Sequence, residues 1–193
     1  MIVPSRRALG RLAAVALGAA LLASGRPASA FDVGPAIGTK APPITATTAG
    51  GAPATLAGVS GPKGVVLVFF RSAKWCPFCQ AQLISLRDAA KPLADRGFKI
   101  AALSYDAPDV QANFARQRDI PFAFLSDQAS VTVDAFGLRD PDYKPGHFAY
   151  GVPRPSIFVI ASDGTIVGKL AEEGFKTRPT NEAVLDAVDH LPL

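Results

Sequence analysis

Cysteine and histidine are scarce in this sequence. The 193 residues include two cysteines, Cys76 and Cys79, and two histidines, His147 and His190. A structural zinc site normally takes four ligands of these types at recognised spacings, which these four residues do not follow. We therefore expect no metal site, and no residue pattern indicates another cofactor.

An excess of charge of one sign is absent from most of the chain. The formal net charge is +4, but the first 30 residues contain four arginines and no acidic residue. The remaining residues therefore balance their basic and acidic side chains. No stretch combines clustered Lys and Arg with aromatic residues, so we expect no nucleic-acid partner.

Long hydrophobic runs are also missing. A membrane-spanning helix takes about 20 consecutive apolar residues, whereas the uncharged run near the N-terminus spans only residues 12–25. This run follows an arginine pair and precedes Ala28-Ser29-Ala30, which fits the small-x-small cleavage pattern. We therefore interpret residues 1–30 as an export signal peptide that is cleaved near Ala30.

Export would leave residues 31–193 as one domain in the periplasm or another exported compartment, without a stable membrane span after processing. A chain of this length can enclose a full core. The oxidising surroundings would allow a dithiol to cycle or to rest as a disulfide. Two alternatives stay open. The apolar run could remain as an anchor helix, and the arginine pair fits both twin-arginine and general secretory export.

Both cysteines lie in one short stretch, Trp75-Cys76-Pro77-Phe78-Cys79. It follows the apolar run 65–70, which is typical of a strand buried on both faces, and it precedes a helical pattern. The positive N-terminal end of a helix favours thiolate over thiol. Cys76 lies nearest that end, so its thiolate is stabilised most. Strand, C-x-x-C and helix together indicate dithiol redox chemistry. A purely structural disulfide is the alternative, although closing so short a loop stabilises little.

The remaining patterns predict an α/β fold. A hairpin with a Gly-Gly turn is expected over residues 44–56 at a sheet edge. The other predicted elements, in order, are strand 65–70, helix 80–96, strand 98–105, helix 108–118, strand 121–125, helix 130–136, strand 156–160, strand 165–170 and helix 181–190. This order implies a mixed sheet with helices on both faces.

Three local features carry further expectations. Pro92 removes one backbone hydrogen bond and is expected to kink its helix or end it early. The next helix is expected to begin through Asp106, as its cap, or through the Ala107-Pro108 step. Residues 138–151 are rich in aromatic and turn residues without periodicity, and such loops often carry binding contacts.

The stretch Trp75-Cys76-x-x-Cys79 after an apolar strand resembles the thioredoxin superfamily, and so does the segment 152–160. The resemblance implies a thioredoxin-like three-layer α/β/α sandwich with a central mixed sheet, here with an N-terminal β-hairpin extension. Pro155 would take the place of the superfamily's cis-proline, whose loop faces the C-x-x-C and aligns an incoming chain. Trp75 would form one wall of the site or simply pack.

Across residues 31–193 the chain more closely resembles one branch of that superfamily. This is the alkyl hydroperoxide reductase/thiol-specific antioxidant (AhpC/TSA) branch, the peroxiredoxin-like redoxins. The supporting stretches are residues 70–83, 101–105 and 124–127.

Two features depart from the pattern of that branch. Its Pro-x-x-x-Thr/Ser-x-x-Cys loop would place a hydroxyl residue three before Cys76 and a proline seven before it, where this chain has Ala73 and Phe69. Its arginine before the later strand is displaced, because Arg154 lies one residue ahead of the matching position, Pro155. Arg154 either reaches the pocket or is a surface charge.

We therefore predict an exported thiol–disulfide oxidoreductase. In this mechanism Cys76 attacks a substrate disulfide, and Cys79 resolves the mixed disulfide. Trp75, Arg154 and Pro155 are the candidate substrate-binding residues. The expected partners are protein or low-molecular-weight thiols and disulfides, peroxides as a further substrate class, and a redox partner that the sequence does not identify.

Two other functions are weighed against this one. In a peroxiredoxin-like thiol peroxidase, Cys76 would be the peroxidatic cysteine and Cys79 would resolve the sulfenic acid. In a non-enzymatic protein, the dithiol would tune binding or assembly through the loop 138–151.

Overall fold

The computed structural model describes residues 32–191, so the predicted signal peptide lies outside the described residues. Within this range, strands and helices alternate along the chain as predicted. The strands are β1 (Thr47–Thr48), β2 (Gly64–Phe69), β3 (Phe98–Ser104), β4 (Ala123–Ser126), β5 (Ser156–Ala161) and β6 (Ile166–Ala171). The helices are α1 (Leu56–Val59), α2 (Pro77–Asp95), α3 (Pro108–Gln117), α4 (Val131–Ala135) and α5 (Asn181–Asp189).

The strands form one mixed sheet in the order β1-β4-β3-β2-β5-β6. Strands β2, β3 and β4 run parallel, whereas β5 lies antiparallel to β2 and β6 lies antiparallel to β5. All six residues of β2 are buried, as expected for a central strand covered on both faces. The predicted mixed sheet is therefore confirmed.

Alternation along β2 divides the core into two layers. Val66 and Val68 face a cluster that includes residues of α2, α3 and α5. Val65 and Leu67 face a second cluster, which includes residues of α1 and α4. Successive side chains of a strand point to opposite faces, so one apolar strand supplies both layers. This gives the three-layer α/β/α arrangement that was predicted.

The N-terminal hairpin is present but smaller than predicted. Its turn is closed by a hydrogen bond from the Gly51 N–H to the Thr48 carbonyl, and Thr47 pairs with Pro53 across it. Strand β1 lies at the sheet edge against β4, as expected. The predicted second arm ended at Leu56, which instead begins α1, because the Thr55 side chain caps a short helix by accepting from the Gly58 N–H.

Pro92 was predicted to kink α2 or to end it early, and the second of these outcomes was wrong. The helix continues to Asp95, and the Pro92 carbonyl accepts a hydrogen bond from Arg96. Pro92 lies in the last turn, so only one helical hydrogen bond is lost. Leu86 and Leu93, on either side of it, are fully packed in the core and hold the helix in place.

Candidate active site

The two cysteines lie at the start of α2 and are joined as a disulfide. Cys76 is the N-cap residue, and its sulfur accepts a hydrogen bond from the Cys79 N–H at 3.2 Å. Pro77 occupies the first helical position, where a missing N–H costs nothing. The predicted C-x-x-C at a helix N-terminus is therefore confirmed.

The disulfide is more deeply buried than its position at the N-terminus of a helix suggests. Cys76 is 2% exposed and Cys79 is fully buried. Phe78, between them, is 40% exposed and covers the turn from outside. Access to either sulfur in this conformation therefore favours a small reactant over a folded protein surface.

Cys79 has positive surroundings that sequence analysis missed. Its sulfur accepts a hydrogen bond from the Arg71 backbone N–H at 3.4 Å, and the Arg178 guanidinium lies 3.6 Å away through Nη2. Both donors would stabilise a negatively charged sulfur. Arg178 is 99 positions along the chain from Cys79 and lies in a loop without periodicity, so no local signal links the two.

The Arg71 side chain is buried among aromatic rings. Its guanidinium carbon lies 4.2 Å from the ring centre of Phe175, 5.0 Å from that of Tyr143 and 5.2 Å from that of Trp75. It also donates a hydrogen bond to the Tyr143 hydroxyl. Cation–π contacts with several rings offset part of the cost of removing a guanidinium from water.

Arg178 is the second partly buried cation of the site. Burial is the main cause that lowers its pKa to about 10, and the nearby charge of Arg71 contributes to the same shift. Its Nη1 donates to the Thr177 carbonyl. Among the described residues, no carboxylate forms an ion pair with Arg71 or Arg178. The dithiol is therefore bordered by positive charge that the protein itself leaves uncompensated.

Trp75 connects the dithiol to the irregular loop 138–151. Its indole N–H donates to the Tyr105 hydroxyl at 2.9 Å, and that hydroxyl donates to the Phe148 carbonyl. The Trp75 and Phe148 rings meet edge to face, with centroids 5.2 Å apart. Burial is the main cause of the raised pKa of Tyr105. The loop predicted from composition alone is thus packed against the residue that precedes Cys76.

The prediction of Asp106 as a helix cap was wrong, and α3 begins through the alternative that was predicted, the Ala107-Pro108 step. The N-cap of α3 is Ala107, which forms no side-chain capping bond. Asp106 is instead buried and accepts hydrogen bonds from Ser72 Oγ at 2.8 Å, the Ala73 N–H at 2.6 Å and Ser104 Oγ at 3.1 Å. It therefore ties the end of β3 to the segment that leads into Cys76.

The predicted cis bond at Pro155 was also wrong, since no peptide bond between residues 32 and 191 is cis. The segment before β5 is extended: Pro153 pairs with Arg139, and the Arg154 N–H donates to the Leu138 carbonyl at 2.7 Å. A cis proline typically serves a tight turn, which this path does not require. Pro155 is buried, and Arg154 is half-buried.

The register of the sheet places Arg154 and Pro155 near the active-site segment. Ser156, the first residue of β5, pairs with Phe69, the last residue of β2. Both predicted residues therefore lie at the sheet edge from which the chain departs toward Cys76. Their role in binding substrate stays a prediction.

Comparison with known proteins identifies the family. The model of the AhpC/TSA family matches residues 37–169. The chain belongs to the AhpC/TSA family. It is accordingly an oxidoreductase, as predicted, and its dithiol is the group able to carry redox chemistry.

Individual relatives agree with this family assignment. A putative peroxiredoxin from Mycobacterium tuberculosis is 29% identical over 111 residues, which cover 57% of this chain and 69% of the relative. The crystal structure of peroxidoxin BcpB from the same organism has a TM-score of 0.66 at 23% identity, covering 79% of this chain and 94% of that one.

The reduced Prx3 of Vibrio vulnificus in complex with hydrogen peroxide is a further structural neighbour. It has a TM-score of 0.68 at 20% identity, covering 79% of this chain and 98% of that one. These structures confirm the predicted thioredoxin-like fold.

Asp106 predicts a specific pH dependence of stability. Burial raises its pKa above the ordinary value of 3.8, against the opposing hydrogen bonds from Ala73, Ser72 and Ser104. A raised folded-state pKa means that the native protein binds this proton more tightly than the unfolded chain. The stabilisation is therefore complete below pH 3.8 and is lost as the pH rises through the folded-state pKa.

We expect the free energy of unfolding of the wild type, relative to that of Asp106→Asn, to fall as the pH rises through this range. The slope is at most about 1.4 kcal/mol per pH unit, the value for one proton. Urea titrations of both oxidised proteins at each pH measure the difference between their free energies of unfolding. Contributions from the other titrating groups are the same in both proteins and cancel in this difference. A difference that rises with pH would mean that the hydrogen bonds outweigh burial.

Proposed function

We propose that this protein is an exported thiol–disulfide oxidoreductase that cycles between the Cys76–Cys79 disulfide and the dithiol. One observation carries the proposal: each sulfur of the pair accepts a backbone N–H, from Cys79 for Cys76 and from Arg71 for Cys79. Such donors, with the Arg178 guanidinium, stabilise the thiolates that reduction releases. A bridge with only a structural role gains nothing from stabilised thiolates.

Reduction of the disulfide follows from this arrangement. A substrate thiolate attacks the Cys76 sulfur, a new sulfur–sulfur bond forms, and the Cys76–Cys79 bond breaks. Cys79 leaves as a thiolate beside Arg178. A second substrate thiolate attacks the substrate sulfur of the mixed disulfide, which releases the oxidised substrate and the Cys76 thiolate. In the opposite direction, Cys76 attacks a substrate disulfide and Cys79 resolves it.

Three residues are proposed to contact the substrate. Trp75 precedes Cys76 and is half-buried, so part of its surface remains available beside the sulfur. Arg154 and Pro155 lie at the sheet edge from which the active-site segment departs. A substrate bound at that edge would contact them.

Peroxide reduction is the second candidate function. Family membership and the burial of Cys76 favour it, because a peroxide is small enough for a nearly closed site. The Cys76 thiolate would attack one peroxide oxygen and release the alcohol or water. Cys79 would then attack the sulfenic sulfur, form the disulfide and release water. The missing hydroxyl at Ala73 keeps disulfide exchange as the first proposal.

Export is supported by the sequence of residues 1–30. None of the helices described between residues 32 and 191 has the length and apolar character needed to cross a bilayer. We expect the full chain, expressed in a Gram-negative bacterium, to appear in the periplasmic fraction with Phe31 as its N-terminus. Cell fractionation with intact-mass measurement tests this. An uncleaved chain that pellets with membranes would support the anchor helix instead.

Cysteine variants test the roles of the two sulfurs. Cys79→Ser removes the resolving thiol, so it should accumulate a mixed disulfide when incubated with a disulfide substrate. Cys76→Ser should accumulate none, because its remaining thiol, Cys79, is fully enclosed, whereas Cys76 keeps a small exposed surface. Non-reducing mass spectrometry measures both adducts. The reverse pattern would exchange the roles of nucleophile and resolver.

Reaction with hydrogen peroxide separates the two candidate functions. We expect stopped-flow measurements on the reduced protein to give a rate constant within about tenfold of that of a free thiolate of equal pKa, since Ala73 supplies no hydroxyl to polarise the peroxide. Cys76→Ser is the control for nonspecific oxidation. A rate several orders of magnitude higher would establish the peroxidase instead.

A further inference from the structure

A cleft of about 350 Å³ lies beside the dithiol. It opens between the first turns of α2 and the loop that leads into α5. Phe78 and Gln82 contribute to the α2 wall, and Lys176 and Arg178 contribute to the opposite wall. Phe78 separates the two cysteines in sequence, and Arg178 contacts the Cys79 sulfur, so the cleft adjoins the redox centre.

Two buried polar atoms of this cleft have no hydrogen-bond partner within the described part of the chain. One is the amide oxygen Oε1 of Gln82, whose side chain belongs to a residue that is 7% exposed. The other is Nε of Arg178. An unpaired buried polar group costs about 1–3 kcal/mol, so native proteins rarely keep one without a reason. One atom is an acceptor and the other is a charged donor. Both have almost no accessible surface, so a ligand that offers the complementary groups would reach them once the two side chains turn toward the cleft.

The cleft also carries positive charge on its loop side. Lys176 and Arg178 line it, and neither forms an ion pair among the described residues. The one acidic residue lining it is Glu182, whose own backbone N–H and Thr180 lower its pKa and so keep the carboxylate ionised. The charge of Arg71 reaches Arg178 from the other side. The lining therefore carries two cations and one carboxylate, and its net positive charge would favour an anion in the cleft.

We propose that this cleft binds the reductant of the Cys76–Cys79 disulfide, and that this reductant is a small thiol carrying a carboxylate and an amide N–H. The carboxylate binds Arg178 through Nε and is attracted to Lys176. The amide N–H donates to Gln82 Oε1. Arg178 keeps its Nη2 edge toward Cys79, so a single guanidinium serves both the ligand and the sulfur.

Reduction of the Cys76–Cys79 disulfide by the bound thiol is the reductive half of the proposed cycle, so the inference rests on the proposed function. The bound thiolate attacks Cys76, its sulfur bonds to the Cys76 sulfur, and Cys79 departs as the thiolate. A second thiol molecule completes the two-electron reduction. Both candidate functions regenerate the dithiol by this step, so the inference holds for an exchange enzyme and for a peroxidase.

Three matched thiols test the proposal: N-acetylcysteine, its methyl ester and 3-mercaptopropionate. The first has both recognised groups, the ester lacks the charge and the third lacks the amide. Reduction of the oxidised protein is followed by the release of protein thiols, and rates are compared per thiolate. We expect N-acetylcysteine to saturate and to exceed its ester by about tenfold or more, the value of one charge-assisted hydrogen bond. It should exceed 3-mercaptopropionate by about fivefold, the value of one neutral hydrogen bond.

Variants assign the preference to individual side chains. Arg178→Gln and Lys176→Gln should reduce the ratio of N-acetylcysteine to its ester, and Lys176 is exposed, so its variant should fold normally. Gln82→Leu should reduce the ratio of N-acetylcysteine to 3-mercaptopropionate. Arg116→Gln is the matched control, because this arginine lies on α3 and donates to Asn113 outside the cleft. Each variant is judged by the ratio of its reduction rates with two thiols. Arg178 also contacts Cys79, so substituting it changes the absolute rate with every thiol.

The outcomes separate the inference from the function on which it rests. If all three thiols reduce the protein at equal rates per thiolate, and the rate ratios are the same in every variant, the cleft is not the reductant site. The inference is then wrong, and the proposed function is unaffected. If no thiol reduces the disulfide, the proposed function fails with it. A ratio that falls equally in Arg116→Gln would show a general charge effect and would also overturn the inference.

Discussion

The carboxylate of Asp106 holds the segment that presents the two cysteines. It accepts hydrogen bonds from Ser72 and Ala73, which precede the dithiol, and from Ser104 at the end of β3. Strands β2 and β3 are parallel, so the chain leaves both at the same edge of the sheet. The buried Asp106 side chain therefore fixes the segment between β2 and α2 against the end of β3. The first turn of α2, which follows this segment, is positioned as a result.

Positive charge is the second defining property of the site. The Arg178 guanidinium contacts the Cys79 sulfur, and the charge of Arg71 acts on Arg178. Aromatic rings from three separate segments surround the Arg71 guanidinium. Burying cations without carboxylates costs free energy, which cation–π contacts offset in part. A carboxylate placed between them would neutralise the field that favours thiolates. The uncompensated charge is thus the electrostatic environment that the proposed redox chemistry requires.

The prediction from sequence succeeded where the signal was local and failed where the outcome depended on distant partners. The strand 65–70, the helix after it and the dithiol between them are recognisable from periodicity and spacing within about 30 residues. By contrast, Asp106 looks like any acid before a helix until its hydrogen-bond partners from another loop are known. Pro155 matched a family pattern, but its isomer depends on how the chain passes Leu138 and Arg139.

The helix after the dithiol illustrates the same limit. Pro92 has an unfavourable intrinsic effect, yet the packing of Leu86 and Leu93 outweighs one lost hydrogen bond near the helix end. Propensity is a weak prior that tertiary packing overrides.

The amino-acid sequence by itself determined the reactive group, because two cysteines three residues apart at a strand-to-helix junction need no distant residue to meet. Only the tertiary structure decided what surrounds that group. Arg178 comes to Cys79 across 99 positions, and the aromatic loop comes to Trp75 from residues 138–151. Such contacts arise from how loops pack over the end of the sheet, and loops carry no periodicity from which that packing can be inferred.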